Sequence, residues 1–202
     1  MINAAKKAST KIRRDFNELE NLQVSTKGPG DFVTSADIRT QKIIIDELTK
    51  AKPDWSFLAE EKTNQKTGEY KNRFIIDPID GTTNFLHGIP HFAICIALKS
   101  KNNIVSGLIF DPIKDEMFFA EKNKGAFLNN QRLRVSNKNS LDECLFSSNH
   151  EGVKFSNLNM RYSGCAALDL AYVSCGRFDG CLQKRNNYPN CKIATYSKFC
   201  CS

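Results

Sequence analysis

Residues 74–85, FIIDPIDGTTNF, limit what this chain can fold into more than any other stretch. Phe74, Ile75 and Ile76 form a short apolar run of strand length, and Asp77 ends it. Pro78 has no amide hydrogen to give to a sheet ladder, so it forbids simple continuation of the strand. Asp80 stands three residues beyond Asp77, and Gly81-Thr82-Thr83 offers a small residue and two hydroxyls where a helix can begin. Two carboxylates at the end of a buried strand, beside a free helix N-terminus, suit a divalent cation and a phosphate group together.

The flanking sequence supplies a scaffold for that stretch. Ala5, Ala8, Ile12, Phe16 and Leu19 recur at steps of three and four, which predicts an amphipathic helix over residues 2–22. Lys27-Gly28-Pro29-Gly30 is a turn, and Asp31-Phe32-Val33 leads into a second helix. Thr34 is its N-cap and Asp37, three residues on, completes a near capping-box pattern. Ile38, Ile44, Ile45 and Leu48 form its expected buried face, and Pro53 stops it. Residues 55–59 read as a strand ending at Glu60-Glu61, and residues 63–71 as a polar loop. The apolar runs 92–98, 104–110 and 117–120, separated by turn residues, predict an antiparallel meander. A strand near 144–147, a small-residue helix over 165–173 and a strand over 178–182 complete an α+β layered fold with a mostly antiparallel sheet.

At 202 residues and 41% apolar, the chain can bury a substantial core. Its formal charge of +7 invites a nucleic-acid reading. However, Lys184, Arg185, Lys192 and Lys198 supply four of those charges within an acid-free tail over residues 183–202. A basic tail is not a basic groove, and nucleic acid is not the expected partner. Of the eight cysteines, Cys95, Cys144, Cys165 and Cys175 sit in apolar contexts and no CxxC pair occurs, which points to reduced core thiols and a cytoplasmic setting. No apolar run has the length of a membrane span, and Asp15, Glu18 and Glu20 argue against a transit peptide.

Four acids emerge from this layout: Asp37, Glu60, Asp77 and Asp80. Glu60 and Asp77 both fall just past expected strands, so strand adjacency brings their carboxylates together. Like charges at close range repel unless cations lie between them. Oxygen donors with no His or Cys cluster favour Mg²⁺ over zinc, and two such ions can hold the attacking and leaving oxygens of a phosphoryl displacement. Taken singly, each residue has a plainer role. Asp37 can be a helix cap, Glu60-Glu61 a solvated turn, and Asp77 and Asp80 an Asx-type turn. His87 and His91 read as loop residues.

The segments DFVTSAD (31–37), AEE (59–61), DPIDGTTNF (77–85), KGAFLNNQRLRVS (124–136) and GCAALDLAYVSCGRFDG (164–180) resemble, in order, the inositol monophosphatase family, its bacterial members above all. The resemblance implies a layered sugar-phosphatase fold and Mg²⁺-dependent hydrolysis of a phosphomonoester such as myo-inositol 1-phosphate, with two or three ions, lithium inhibition and a homodimer. It implies that Glu60, Asp77 and the carbonyl of Ile79 hold the first ion, and Asp77 and Asp80 the second. Thr82, linked to Asp37, is implied to orient the water on the first ion. The amides of Gly81 and Thr82 are implied to receive the phosphate, and Asp80, Gly164, Cys165 and Ala166 to face the inositol ring. Lys27 aligns with a basic residue near the metals.

The resemblance covers residues 1–182 as one domain, and 183–202 read as a divergent, basic, Cys-containing tail. Where the family has a Glu for substrate hydroxyls and a Trp-Asp pair completing the second metal site, this chain has Gln183, Pro189 and Asn190. An Asn carbonyl brings no negative charge, so a weakened second site and reduced activity are expected. The further sheet and helices of the family have no counterpart here, which leaves apolar surface for a partner copy to cover. Two other readings follow: a non-catalytic member that binds the transcription or RNA machinery, and a phosphatase for a nucleotide or fructose bisphosphate.

Overall fold

Two helices form one outer layer. In α1 (Ile2–Asn17) the residues Ala4, Ala5, Ala8 and Ile12 fall on one face and are buried. α2 (Ser35–Ala51) is started by Thr34, whose hydroxyl accepts from the amides of Ala36 and Asp37. The structure, a computed structural model, describes residues 1–19, 24–28, 31–61, 71–149 and 158–183. The two helices pack on each other and, with Ile44 and Leu48, cover one face of a seven-stranded sheet.

That sheet has the order β3-β4-β5-β6-β7-β8-β9. Its strands are β3 (Ser56–Ala59), β4 (Asn72–Asp80), β5 (Ala93–Ser100), β6 (Asn103–Asp111), β7 (Glu116–Glu121), β8 (Gly125–Leu128) and β9 (Gln131–Arg132). β3 runs parallel to β4, and every other pair is antiparallel, as the meander pattern predicts. Period-two alternation divides its side chains. Phe74, Ile76, Ile94, Ile96, Leu108 and Phe110 enter the helix-side core, while Ile75, Cys95, Ala97, Ile109 and Phe118 enter a second core. The second core is closed by α4 (Ala166–Ser174) through Cys165, Ala167, Leu168 and Ala171. Each large side chain so buried contributes about 1.5–3 kcal/mol.

α3 (Thr82–Leu86) follows β4 directly, and a three-residue 3₁₀ turn (Leu141–Glu143) precedes β10 (Leu145–Ser148). β10 pairs in parallel with both β11 (Asn159–Arg161) and β12 (Gly180–Leu182) in a separate small sheet. Cys95, Cys144 and Cys165 are buried free thiols, as expected, and Cys175 is half-buried. No helix among the described residues is long and apolar enough to cross a membrane.

The structure corrects several expectations. α1 ends at Asn17 rather than Leu22. Residues Asp31–Thr34 do not simply lead into α2: they form strand β2, which pairs antiparallel with β1 (Val24–Gly28). Ile38 is exposed, because the buried face of α2 runs through Ala36, Asp37, Thr40, Gln41, Ile44 and Leu48. Proline does not end β4, which continues through Asp80. β11 was not expected, and the last strand starts at Gly180 rather than Phe178. The polar loop at 63–70, Pro189, Asn190 and the tail from 184 lie outside the described residues, as does the Lys27 side chain.

Candidate active site

The spacing of Asp77 and Asp80 poses a geometric problem that β4 solves with a bulge. In a regular strand, residues three apart point to opposite faces. Here Asp77 pairs with Cys95 and Asp80 with Ala93, so three steps on β4 match two on β5. The extra residue restores the parity and puts both carboxylates on the face that carries Ala93 and Cys95. Ile79 is thereby turned into the helix-side core, 2% exposed. Pro78 lacks the amide that a regular ladder would need, and the Ile79 amide instead donates to Asp77 Oδ1 at 3.2 Å.

Glu60 reaches the same place from the neighbouring strand. β3 and β4 are parallel with Ala59 opposite Ile76, and the Glu60 amide donates to the Ile76 carbonyl at 3.1 Å. The next step on each strand sets Glu60 beside Asp77, near enough for its charge to act on the Asp77 carboxyl. The Asp77 carboxyl is held well above the usual carboxylate range, first by burial and then by the charges of Glu60 and Asp80. This confirms the expected meeting of the two acids.

Sequence reasoning missed what holds this corner. Gln41, on α2 and 0% exposed, donates from Nε2 to the Glu61 carbonyl at 3.1 Å and accepts from the Glu61 amide at 2.9 Å. The available signal was a glutamine three residues before Ile44 and seven before Leu48, on the same face of α2. Asp37 sits on the same side of α2, but its carboxylate is taken up by Thr34, accepting from Oγ1 at 2.5 Å and from the amide at 2.8 Å. The expected Thr82–Asp37 link is therefore not formed: Thr82 Oγ1 donates to the Ile79 carbonyl at 3.0 Å. Asp37 acts on the group through charge. Burial raises its pKa to about 6 against the pull of Thr34, and Glu61 and Glu60 add to the rise.

Gly81 begins α3 with φ +91, a left-handed conformation that costs glycine nothing. A Cβ there would lie 3.2 Å from the His91 carbonyl and 3.3 Å from Cys165 Cβ. The strand–helix turn and the start of α4 are thus in contact, which brings Gly164, Cys165 and Ala166 beside Asp80, Gly81 and Thr82. Asp80 makes the join: its Oδ2 accepts from the Ala167 amide at 2.6 Å and from Cys165 Sγ at 3.1 Å. Burial raises the Asp80 pKa, and those two donors oppose the rise. Burial also pushes the Cys95 and Cys165 thiols well up, so both stay protonated and unreactive. Gln183 follows β12, and its Nε2 donates to Cys181 Sγ at 2.9 Å. His87 is exposed and His91 is half-buried against the Tyr172 ring, as loop residues.

Among the described residues, no three His, Cys, Asp or Glu side chains already converge as a ready metal cluster. The donor set nevertheless fits a hard cation. Glu60 and Asp77 are two adjacent acids that can both ionise only with a positive charge nearby.

Known proteins share this fold. A profile of the inositol monophosphatase family matches residues 1–193. The inositol-1-monophosphatase of Rhizobium meliloti (strain 1021) is 45% identical over 195 residues, covering 89% of this chain and 73% of that protein. The Nus factor SuhB of Escherichia coli (strain K12) is 34% identical over 194 residues, with the same two coverages. The solved structure of the extragenic suppressor protein suhB from Bartonella henselae superposes with a TM-score of 0.91 at 42% identity, covering 98% of this chain and 81% of that one. The chain is accordingly a phosphatase and belongs to the inositol monophosphatase family.

Proposed function

We propose that the chain hydrolyses a phosphomonoester of inositol or a similar polyol and that it requires Mg²⁺. The observation that carries this reading is the adjacency of Glu60 and Asp77 at the ends of paired strands, with Asp80 on the same sheet face as Asp77 and directly before the Gly81–Thr82 turn. Glu60, Asp77 and the Ile79 carbonyl would hold one ion, and Asp77 with Asp80 a second. When bound, Mg²⁺ neutralises phosphate charge and makes a water more acidic.

The protein's own contribution is placement. The Gly81 and Thr82 amides present donors to phosphate oxygens at the start of α3, where a left-handed glycine opens the turn. Thr82 Oγ1, donating to the Ile79 carbonyl, is placed to orient a water, and Asp37 contributes negative charge behind the pair. Gly164, Cys165 and Ala166 form the wall for the polyol ring. Asn190 in place of an acid leaves fewer charges for the second ion, so weaker Mg²⁺ binding and slower turnover than with an acid there are part of the proposal. Lithium inhibition, a homodimer and a cytoplasmic location accompany the reading.

Phosphate release from myo-inositol 1-phosphate, with Mg²⁺ and with EDTA, tests it. Mg²⁺-dependent release that disappears in Asp77→Asn is expected. A folded wild-type chain with no metal-dependent turnover of any phosphomonoester would sink the proposal. A second reading is favoured by the name Nus factor SuhB, carried by relatives from Xylella fastidiosa, Pasteurella multocida and Escherichia coli at 34–37% identity. Under it, the chain binds the transcription machinery without catalysis. Retention of a transcription component by the Asp77→Asn variant, surviving moderate salt, would support that reading over attraction through the basic tail.

A further inference from the structure

Asn84 lies outside the donor set and outside the ring-facing wall, yet it touches both halves of the site. It is the third residue of α3, is 8% exposed, and both of its Nδ2 hydrogens are used. One goes to the His91 carbonyl at 2.8 Å, across the turn that closes α3. The other goes to the Ser163 carbonyl, also at 2.8 Å, 79 residues away in sequence. Its own backbone carbonyl accepts from the Ile89 amide at 2.8 Å, so residues 84–91 are closed on themselves around it.

Gly164 completes the contact. It has φ +79, and a Cβ built on it would lie 2.9 Å from both Nδ2 and Oδ1 of Asn84. The amide therefore lies flat against the backbone of the ring-facing loop, with no room for a side chain between them. The far side of that loop is anchored as well, because Ser163 Oγ donates to the buried Asp169 carboxylate at 2.5 Å and accepts from the Cys165 amide.

We propose that Asn84 is a positioning residue that fixes the gap between the phosphate-receiving turn at Gly81–Thr82 and the Gly164–Ala166 loop, and so selects among phosphomonoesters by the size of the alcohol. This inference rests on the function proposed above for the same site. An alcohol that fills the gap gains contacts from the loop only if the loop is held at a set distance from the phosphate. A small or flexible alcohol gains little from that loop and is indifferent to its placement.

The test uses Asn84→Ala, and Asn84→Asp, which keeps the shape but loses the paired N–H donors. Each variant is assayed with myo-inositol 1-phosphate and with p-nitrophenyl phosphate. The expected result is a KM for inositol 1-phosphate raised roughly tenfold, with kcat for p-nitrophenyl phosphate changed by less than about threefold. Equal losses for both substrates would overturn the selective role. Hydrogen exchange provides an arm independent of activity. The amides of residues 163–167 are expected to exchange roughly five- to tenfold faster in both variants, while those of 94–97 in the central strand stay unchanged. Unchanged exchange at 163–167 would overturn the positioning role even if the wild-type chain proved inactive, an outcome that counts separately against the proposed function. Combining Gly164→Ala with Asn84→Ala is expected to be less damaging than the two single losses combined, because the alanine at 84 removes the atoms that a Cβ at 164 would meet. Strict additivity would contradict the contact.

Discussion

Asp169→Asn gives a stability change whose size depends on pH. Asp169 lies in the first turn of α4, is 1% exposed, and is raised from an ordinary 3.8 to about 6. Burial is the main cause; repulsion from Asp80 adds to it, and the Ser163 and Ser147 hydroxyls oppose it. Because the folded chain holds this proton more tightly than the unfolded chain, the stabilisation is fully present below about pH 4. It is lost as pH rises through about 6, where the buried carboxyl must ionise. A rise of about two powers of ten in proton affinity corresponds to about 3 kcal/mol. Asparagine keeps an oxygen that can accept from Ser163 and never ionises. The stability of Asp169→Asn relative to wild type is therefore expected to increase by up to about 3 kcal/mol between pH 4 and pH 8, with most of the change between 4.5 and 6.5. Urea unfolding across that range, in EDTA, measures it: at an m-value of about 2–3 kcal/mol per molar, the midpoint difference should move by roughly 1 M. A difference that stays flat with pH, or that falls as pH rises, would refute the reasoning, since every other titrating group is common to both proteins.

Other perturbations test the packing. Phe85 is fully buried, with its ring 5.7 Å from Phe16 and 5.0 Å from Phe92, so Phe85→Ala should cost about 3–5 kcal/mol in denaturant unfolding. A loss under about 1 kcal/mol would mean that the α1–α3 contact is not part of the core. Gln41→Ala leaves both the amide and the carbonyl of Glu61 without their side-chain partner, with an expected loss of about 1–3 kcal/mol. The same variant should bind Mg²⁺ more weakly by thermal shift, because the Glu60–Glu61 corner is no longer tied to α2; unchanged Mg²⁺ affinity would show that Gln41 acts on stability alone.

Much of this molecule is legible in the order of its residues, and the places where it is not share a cause. The meander, α2 and the meeting of Glu60 with Asp77 follow from period-two and period-3.6 patterns, which are local. The bulge at Asp77–Asp80 is not local, because it appears only once Cys95 and Ala93 are set opposite. Read alone, Pro78 terminates a strand; paired with β5, it marks an inserted residue. Ile38 looked like core because it is apolar and correctly spaced. The face actually buried contains Thr40 and Gln41, turned inward because Gln41 is needed at Glu61. Asn84 belongs to the DPIDGTTNF segment, but its contacts could not be read there, since both of its partners are backbone carbonyls and one is 79 residues away. β11 is three residues long and pairs in parallel, so it has neither a turn nor enough alternation to announce it.

The proposed function gives Asp80 two roles, and one carboxylate can serve both. Its Oδ2 is committed to α4, through the Ala167 amide and the Cys165 thiol. A carboxylate has two oxygens, and a cation can be held through one while the other accepts hydrogen bonds. The anchoring bonds then fix the rotation of the side chain, which is the condition for a ligand to be ready before its ion arrives. The same bonds make α4 report on the charge at the acidic group. When Asp80 is ionised, the N–H of Ala167 and the N-terminal end of α4 meet a full negative charge; if it is protonated, they meet a weaker acceptor. Occupancy by a cation, which favours the ionised form, should therefore tighten the start of α4 and the Gly164–Ala166 loop attached to it. In this chain the carboxyl that completes the proposed cation site also holds the wall against which the substrate's alcohol would lie.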